Sequence, residues 1–248
     1  MLSLDETQKG VPSSPAASKF HWDEKAFREL AALLPALIEN GAIALFGPPA
    51  VGKGTTAKWL AALWDIPIIP VGDLLRDRAK VGDAFGLELD AKMERKDFIA
   101  DEIIFDLIGK ELERLGNPKA FILDGCPRTP SQVPLLDEFL KNRGINNLAV
   151  LYLEAKLQTC LDRSANRAQE TEAKGEKQRG DESKTAGRYE KFEAESKPVA
   201  AIYDARGQAV RADCNDPSYL KNAEAIAKVL GPLLKKWSEQ NPLDTSFN

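Results

Sequence analysis

Ala42-Ile43-Ala44-Leu45-Phe46 runs directly into Gly47-Pro48-Pro49-Ala50-Val51-Gly52-Lys53-Gly54-Thr55-Thr56. The first five residues are apolar throughout and long enough for a buried strand. The next ten spell G-x-x-x-x-G-K followed by Gly-Thr, and a helical pattern continues over Thr56–Leu63. Glycines let the backbone wrap closely, so its N–H groups point at one centre, and a helix N-terminus adds partial positive charge there. Lys53 is spaced to reach the β- and γ-phosphates of a bound nucleotide, and Thr55 stands where a hydroxyl assists magnesium. A bare G-x-x-x-x-G-K recurs by chance. With a strand before it and a helix after it, the stretch predicts binding of a nucleoside triphosphate.

Four more apolar runs follow, Ile66–Ile69, Ala120–Leu123, Leu148–Leu153 and Ala209–Ala212. Helical patterns fill most of the intervals. Ile103, Ile104, Leu107, Ile108, Leu112 and Leu115 make one stripe, with Asp101 and Glu102 in its first turn, where acid suits the helix dipole. Strands that are apolar throughout and alternate with helices predict an α/β fold, a parallel five-stranded sheet covered on both faces. Ligands in such sheets sit at the carboxyl ends of the strands. Upstream, residues 1–20 read as a disordered lead-in and 21–41 as an extra helix, in which Pro35 makes a kink and Gly41 a stop. Residues 168–187 hold no large apolar side chain, which fits a solvated loop or exposed helix with room for a mobile flap.

Composition narrows the chemistry. The chain has 248 residues with 34 basic and 38 acidic side chains, a net charge of −4, which gives no global pull toward nucleic acid or anionic membrane. No apolar run reaches a membrane span, and the N-terminal residues read as neither signal peptide nor presequence, so a cytoplasmic protein is expected. Cys126, Cys160 and Cys214 lie far apart, and His21 is the single histidine. A histidine-based triad and the usual zinc sites are therefore not expected. The remaining reagents are carboxylates, lysine, arginine and backbone.

Phosphate chemistry of that kind predicts arginines just after strands, because a planar guanidinium grips phosphate in bidentate fashion. Val71-Gly72-Asp73-Leu74-Leu75-Arg76 follows the second apolar run and Asp124-Gly125-Cys126-Pro127-Arg128-Thr129-Pro130-Ser131-Gln132 the third. Together with Gly47–Thr56, these segments resemble the adenylate kinases and their nucleoside monophosphate kinase relatives. The phosphate loop is similar to that family's G-x-P-G-x-G-K-G-T, with Ala50 in place of a glycine. If that position needs a positive φ, alanine costs about 1 kcal/mol there.

The resemblance covers about residues 42–232 and implies a P-loop NTPase-type sheet with a small acceptor-binding insertion at about 71–100, a lid at about 164–190, and a tail over 233–248. It implies that Pro49, Ala50, Val51, Gly52, Lys53, Gly54, Thr55 and Thr56 bind ATP, and that Thr55 and Asp124 hold Mg2+, largely through water. Arg76 would bind the monophosphate, Arg128 the transferring phosphates, and Gln132 the acceptor base through its amide. Val71, Gly72, Phe98, Ile99 and Gly125 complete the expected AMP site. Arg163 and Arg167, four apart on one helix face, match the family's R-x-x-x-R, with Arg163 against the ATP adenine. Arg179 and Arg188 match the remaining lid arginines. The lid lacks cysteines, so no structural zinc is expected.

The implied activity is reversible transfer of the γ-phosphoryl group from MgATP to AMP, giving two ADP, by a monomer with no nucleic-acid or membrane partner. Thr129 and Gln132 favour AMP. Val71, where a threonine is usual, favours a UMP/CMP kinase or a broad acceptor range. A non-catalytic nucleotide-binding module is the alternative from outside enzymology, resting on Ala50, Val71 and the unusual lid.

Overall fold

The computed structural model describes residue 30 and residues 41–95, 99–173, 175 and 184–240. Five strands, β1 (Gly41–Phe46), β2 (Ile68–Pro70), β3 (Ala120–Asp124), β4 (Asn147–Glu154) and β5 (Ala209–Asp213), form one sheet in the order β2-β3-β1-β4-β5. Every neighbouring pair is parallel. The helices are α1 (Lys53–Trp64), α2 (Val71–Ala79), α3 (Ala84–Arg95), α4 (Asp101–Arg114), α5 (Gln132–Asn142), α6 (Leu157–Ala173), α7 (Thr185–Lys191), α8 (Lys197–Ala205) and α9 (Tyr219–Gln240). A π-helical turn, Phe192–Ser196, joins α7 to α8.

The central strand is buried on both sides as its apolar run predicts, whereas the edge strand β5 exposes Arg211 and Asp213. All six residues of β1 are buried. Ile43 and Leu45 enter one core with α1 and α9, whereas Ala42, Ala44 and Phe46 enter the other with α4, α5 and α8. Alternate side chains of one strand thus feed two separate cores, as the period of two requires. The expected sheet and its covering helices are present.

The second strand differs from the expected Ile66–Ile69. Asp65 adopts a left-handed conformation (φ 52°), and the Ile66 N–H donates to Ala61 O at 3.3 Å. Ile66 therefore finishes α1, and pairing with β3 begins only at Ile68. The family-derived boundary at residue 232 falls inside α9, which continues to Gln240 and buries Leu234 and Trp237 against the α1 face. The expected N-terminal segments lie outside the described residues except for Leu30. That residue is buried, and its carbonyl accepts the Trp64 indole N–H at 3.1 Å.

Candidate active site

The phosphate loop leaves the sheet at the carboxyl end of β1 through Gly47, whose φ is +145°. A β-carbon there would stand 2.5 Å from Leu153 O on β4, so only glycine fits. Ala50 has φ 60°, the left-handed value that makes an alanine costly at this point. Gly52 (φ 111°) then turns the chain into α1. No side chain caps that helix and no acidic residue occupies its first turn. Its first N–H groups and its dipole are left for an anion.

Lys53 donates from Nζ to Gly47 O and Pro48 O, both at 2.8 Å, and so folds back over its own loop. Burial pulls its ammonium down to about 8; Asp124 opposes that shift, and Arg128 and Arg188 add to it. Asp124 ends β3, level with Leu45 of β1. A β-carbon on Gly54 would lie 3.9 Å from Asp124 Oδ2, so the carboxylate faces the start of α1. Thr55, in the same turn, is exposed. A carboxylate facing the start of α1 and a hydroxyl-bearing residue in that same turn are hard oxygen donors of the kind Mg2+ prefers, so these residue types suit that ion.

On the acceptor side, a β-carbon on Gly72 would lie 3.5 Å from both terminal nitrogens of Arg76 and 3.8 Å from Arg128 Nη2. The two guanidinium groups therefore meet over the first turn of α2. Arg76 is paired with Asp73, and Arg128 Nε donates to Gly125 O at 2.8 Å. The walls of the cleft desolvate Arg128 although it reaches solvent, and that desolvation, with nearby Arg188, pushes its guanidinium below the ordinary value. Cationic groups crowded in this way are chemically suited to an anion such as phosphate. Val71 is buried at the head of α2, and Ile99 is half-buried against the same core. Phe98 lies outside the described residues.

Gln132 is buried, with its amide already engaged. Its Oε1 accepts from the Arg128 N–H at 2.7 Å, and its Nε2 donates to Asp101 Oδ1 at 2.7 Å. Asp101, read from the sequence only as a helix-start carboxylate, thus belongs to the site. Cys126 fills the core beside Gln132, and burial pushes its thiol up to about 12.

Arg163, on α6, donates to Val51 O at 2.8 Å and to Asp216 O at 2.9 Å, tying the phosphate loop to the loop after β5. Asn215 reinforces that loop by accepting from Lys156 N–H and Thr159 Oγ1. The family resemblance places Asp213–Asp216 at the ATP-adenine loop without a side-chain role; the structure gives Asn215 an accepting side-chain oxygen and Asp216 a main-chain carbonyl there. Arg167 follows Arg163 one turn along α6, and Arg188 lies on α7. Ser164 and Thr185 join α6 to α7 through buried hydroxyls 2.8 Å apart. Arg179 lies outside the described residues.

A family model described as adenylate kinase matches residues 45–208. The adenylate kinase of Azorhizobium caulinodans is 37% identical over 190 residues, 76% of this chain and 97% of the relative. That of Xanthobacter autotrophicus is 36% identical over 173 residues, 69% and 89% of the two chains. That of Xanthomonas euvesicatoria is 35% identical over 189 residues, 76% and 98%. With the phosphate loop, Asp124 and the converging arginines set on a parallel sheet, the chain belongs to the adenylate kinase family of nucleoside monophosphate kinases.

Proposed function

We propose that this protein transfers the γ-phosphoryl group of MgATP reversibly to AMP, giving two ADP. The observation that carries the reading is the gathering of Lys53, Asp124, Arg76 and Arg128 at the carboxyl ends of β1 and β3 and the head of α2. The names of the relatives support AMP as the acceptor.

In the transfer, an oxygen of the acceptor phosphate attacks the γ-phosphorus in line. The bond to the β–γ bridging oxygen breaks, and ADP leaves with that electron pair. Positioning and positive charge supply most of what such a step needs. Lys53 releases the two loop carbonyls to hold the β- and γ-phosphates. Arg76 exchanges Asp73 for the acceptor phosphate, while Arg128 and Arg188 neutralise the group in transit. Arg163 borders the ATP adenine and Arg167, one turn on along α6, extends the positive lining; the family resemblance gives Arg179 a like charge-neutralising role. Thr55 and Asp124 would hold Mg2+, which when bound neutralises charge on the β- and γ-oxygens. Closure of the lid about α6 and α7 excludes water, which would otherwise compete as acceptor. The protein acts as a cytoplasmic monomer in this reading.

Val71 supports a second reading, a wider acceptor range. Its buried isopropyl group walls the head of α2 where a threonine would offer a hydroxyl. A neutral hydrogen bond is worth about 0.5–1.5 kcal/mol, too little to displace AMP. A coupled assay of ADP formation with AMP, CMP, UMP and GMP decides: AMP is expected to be fastest, preference for CMP would overturn the assignment, and no turnover with any acceptor would overturn the enzyme.

A further inference from the structure

Asp101 opens α4 and is 7% exposed. Besides Gln132 Nε2, it accepts from Ser131 Oγ at 3.3 Å. That spends the single Ser131 hydroxyl hydrogen, so Thr129 Oγ1 is the donor in its 2.8 Å contact with Ser131 Oγ. On the far side of the amide stands the Arg128 N–H, 2.7 Å from Gln132 Oε1. A carboxylate only accepts and a peptide N–H only donates. Each neighbour alone would orient the Gln132 amide, and both select the same orientation.

We propose that Asp101 is a positioning residue for acceptor choice: it holds the Gln132 amide in one orientation and thereby restricts the acceptor to amino-bearing bases over keto bases. The inference rests on Gln132 reading the acceptor base. Having given one N–H to Asp101 and one lone pair to Arg128, the amide keeps one N–H and a second lone pair that only the Cys126 thiol reaches, weakly, at 4.0 Å. That remainder complements the amino group and adjacent ring nitrogen of adenine, or of cytosine. Hypoxanthine, guanine and uracil present the reverse pattern, a carbonyl beside a ring N–H. To meet them the amide must turn over, which sets Oε1 against the Asp101 carboxylate and the NH2 group against the Arg128 N–H. Two hydrogen bonds become two repulsions, so rejection comes from the neighbours of Gln132 as much as from Gln132.

The test measures kcat/KM for AMP, CMP, IMP and UMP in the wild type, Asp101→Asn and Gln132→Ala. Asparagine keeps the shape of Asp101 but can offer either an oxygen or an NH2 group. Its expected effect is a fall of about tenfold in the AMP-to-IMP ratio, carried by the acceptor KM while the ATP KM holds. An unchanged ratio in Asp101→Asn beside a changed one in Gln132→Ala would overturn the inference and leave the reading of Gln132 standing. Equal losses across all acceptors in Gln132→Ala would overturn that reading and the inference with it. Should Asp101→Asn not fold, the wild-type side-chain amide spectrum decides. The Gln132 protons, assigned by their loss in Gln132→Ala, are expected to include one shifted downfield and slow to exchange. Signals typical of a freely rotating glutamine would overturn the proposal.

Discussion

Two helix starts face the same cleft and are furnished in opposite ways. The head of α1 carries no acidic residue and no side-chain cap, and the loop ahead of it is shaped by Gly47 and Ala50 at positive φ. The head of α4 carries Asp101 and Glu102, and Asp101 reaches across to Gln132, 31 positions away. The first is a socket made of backbone, with its positive end left for a phosphate. The second also has no side-chain cap, but its first-turn carboxylate adds negative charge there and organises the Gln132 and Ser131 side chains instead of leaving the end to an anion. Backbone sockets suit what every nucleotide shares, and side-chain networks suit what distinguishes one base from another.

Changing each side separately should sharpen that contrast. Lys53→Met is expected to lower kcat by about 10³ while the acceptor still binds. Because burial already opposes the Lys53 charge, the melting temperature should hold or rise, and a large fall would mean that Lys53 supports the fold rather than the reaction. Arg76→Ala should raise the acceptor KM by about 10–100-fold with the ATP KM unchanged, since bonds to charged groups carry more than neutral ones. A matching rise for ATP would erase the division into two sides. Ala50→Gly is the mildest change. Relief of the positive φ should add up to about 1 kcal/mol to unfolding stability in denaturant melts, less what the glycine adds to unfolded-chain entropy. A loss of stability would show that the loop does not hold Ala50 at φ 60° in solution.

The same contrast explains what could be read from the order of residues. β1 and the phosphate loop are contiguous, and their pattern is local, so the expected strand Ala42–Phe46 differs from the observed one only by Gly41. The ends of β2 were hidden because the turn that closes α1 uses Asp65 and Ile66, residues with no glycine to announce it. Arg76 and Arg128 were visible from their places after strands, and the structure brings them together over Gly72. Asp101 was not visible as a site residue, because a carboxylate in a first turn already has an ordinary explanation. The partners of Arg163 could not be named at all. Both are main-chain carbonyls, and any residue at 51 or 216 supplies one.

The hydrogen bond from Trp64 to Leu30 separates two ideas of where this enzyme starts. Counted by likeness to its relatives, the catalytic unit begins near β1, since the family match opens at residue 45. Counted by satisfied donors, it begins earlier, because a buried indole in α1 depends on a carbonyl eleven positions upstream of Gly41. A chain trimmed at Gly41 would keep every residue of the phosphate loop. It would also lose the Leu30 side chain from the α1 face and leave the indole N–H open, at about 1–3 kcal/mol for the unmet donor alone. The trimmed chain is therefore expected to melt below the full one, although the family match begins after the residues it has lost.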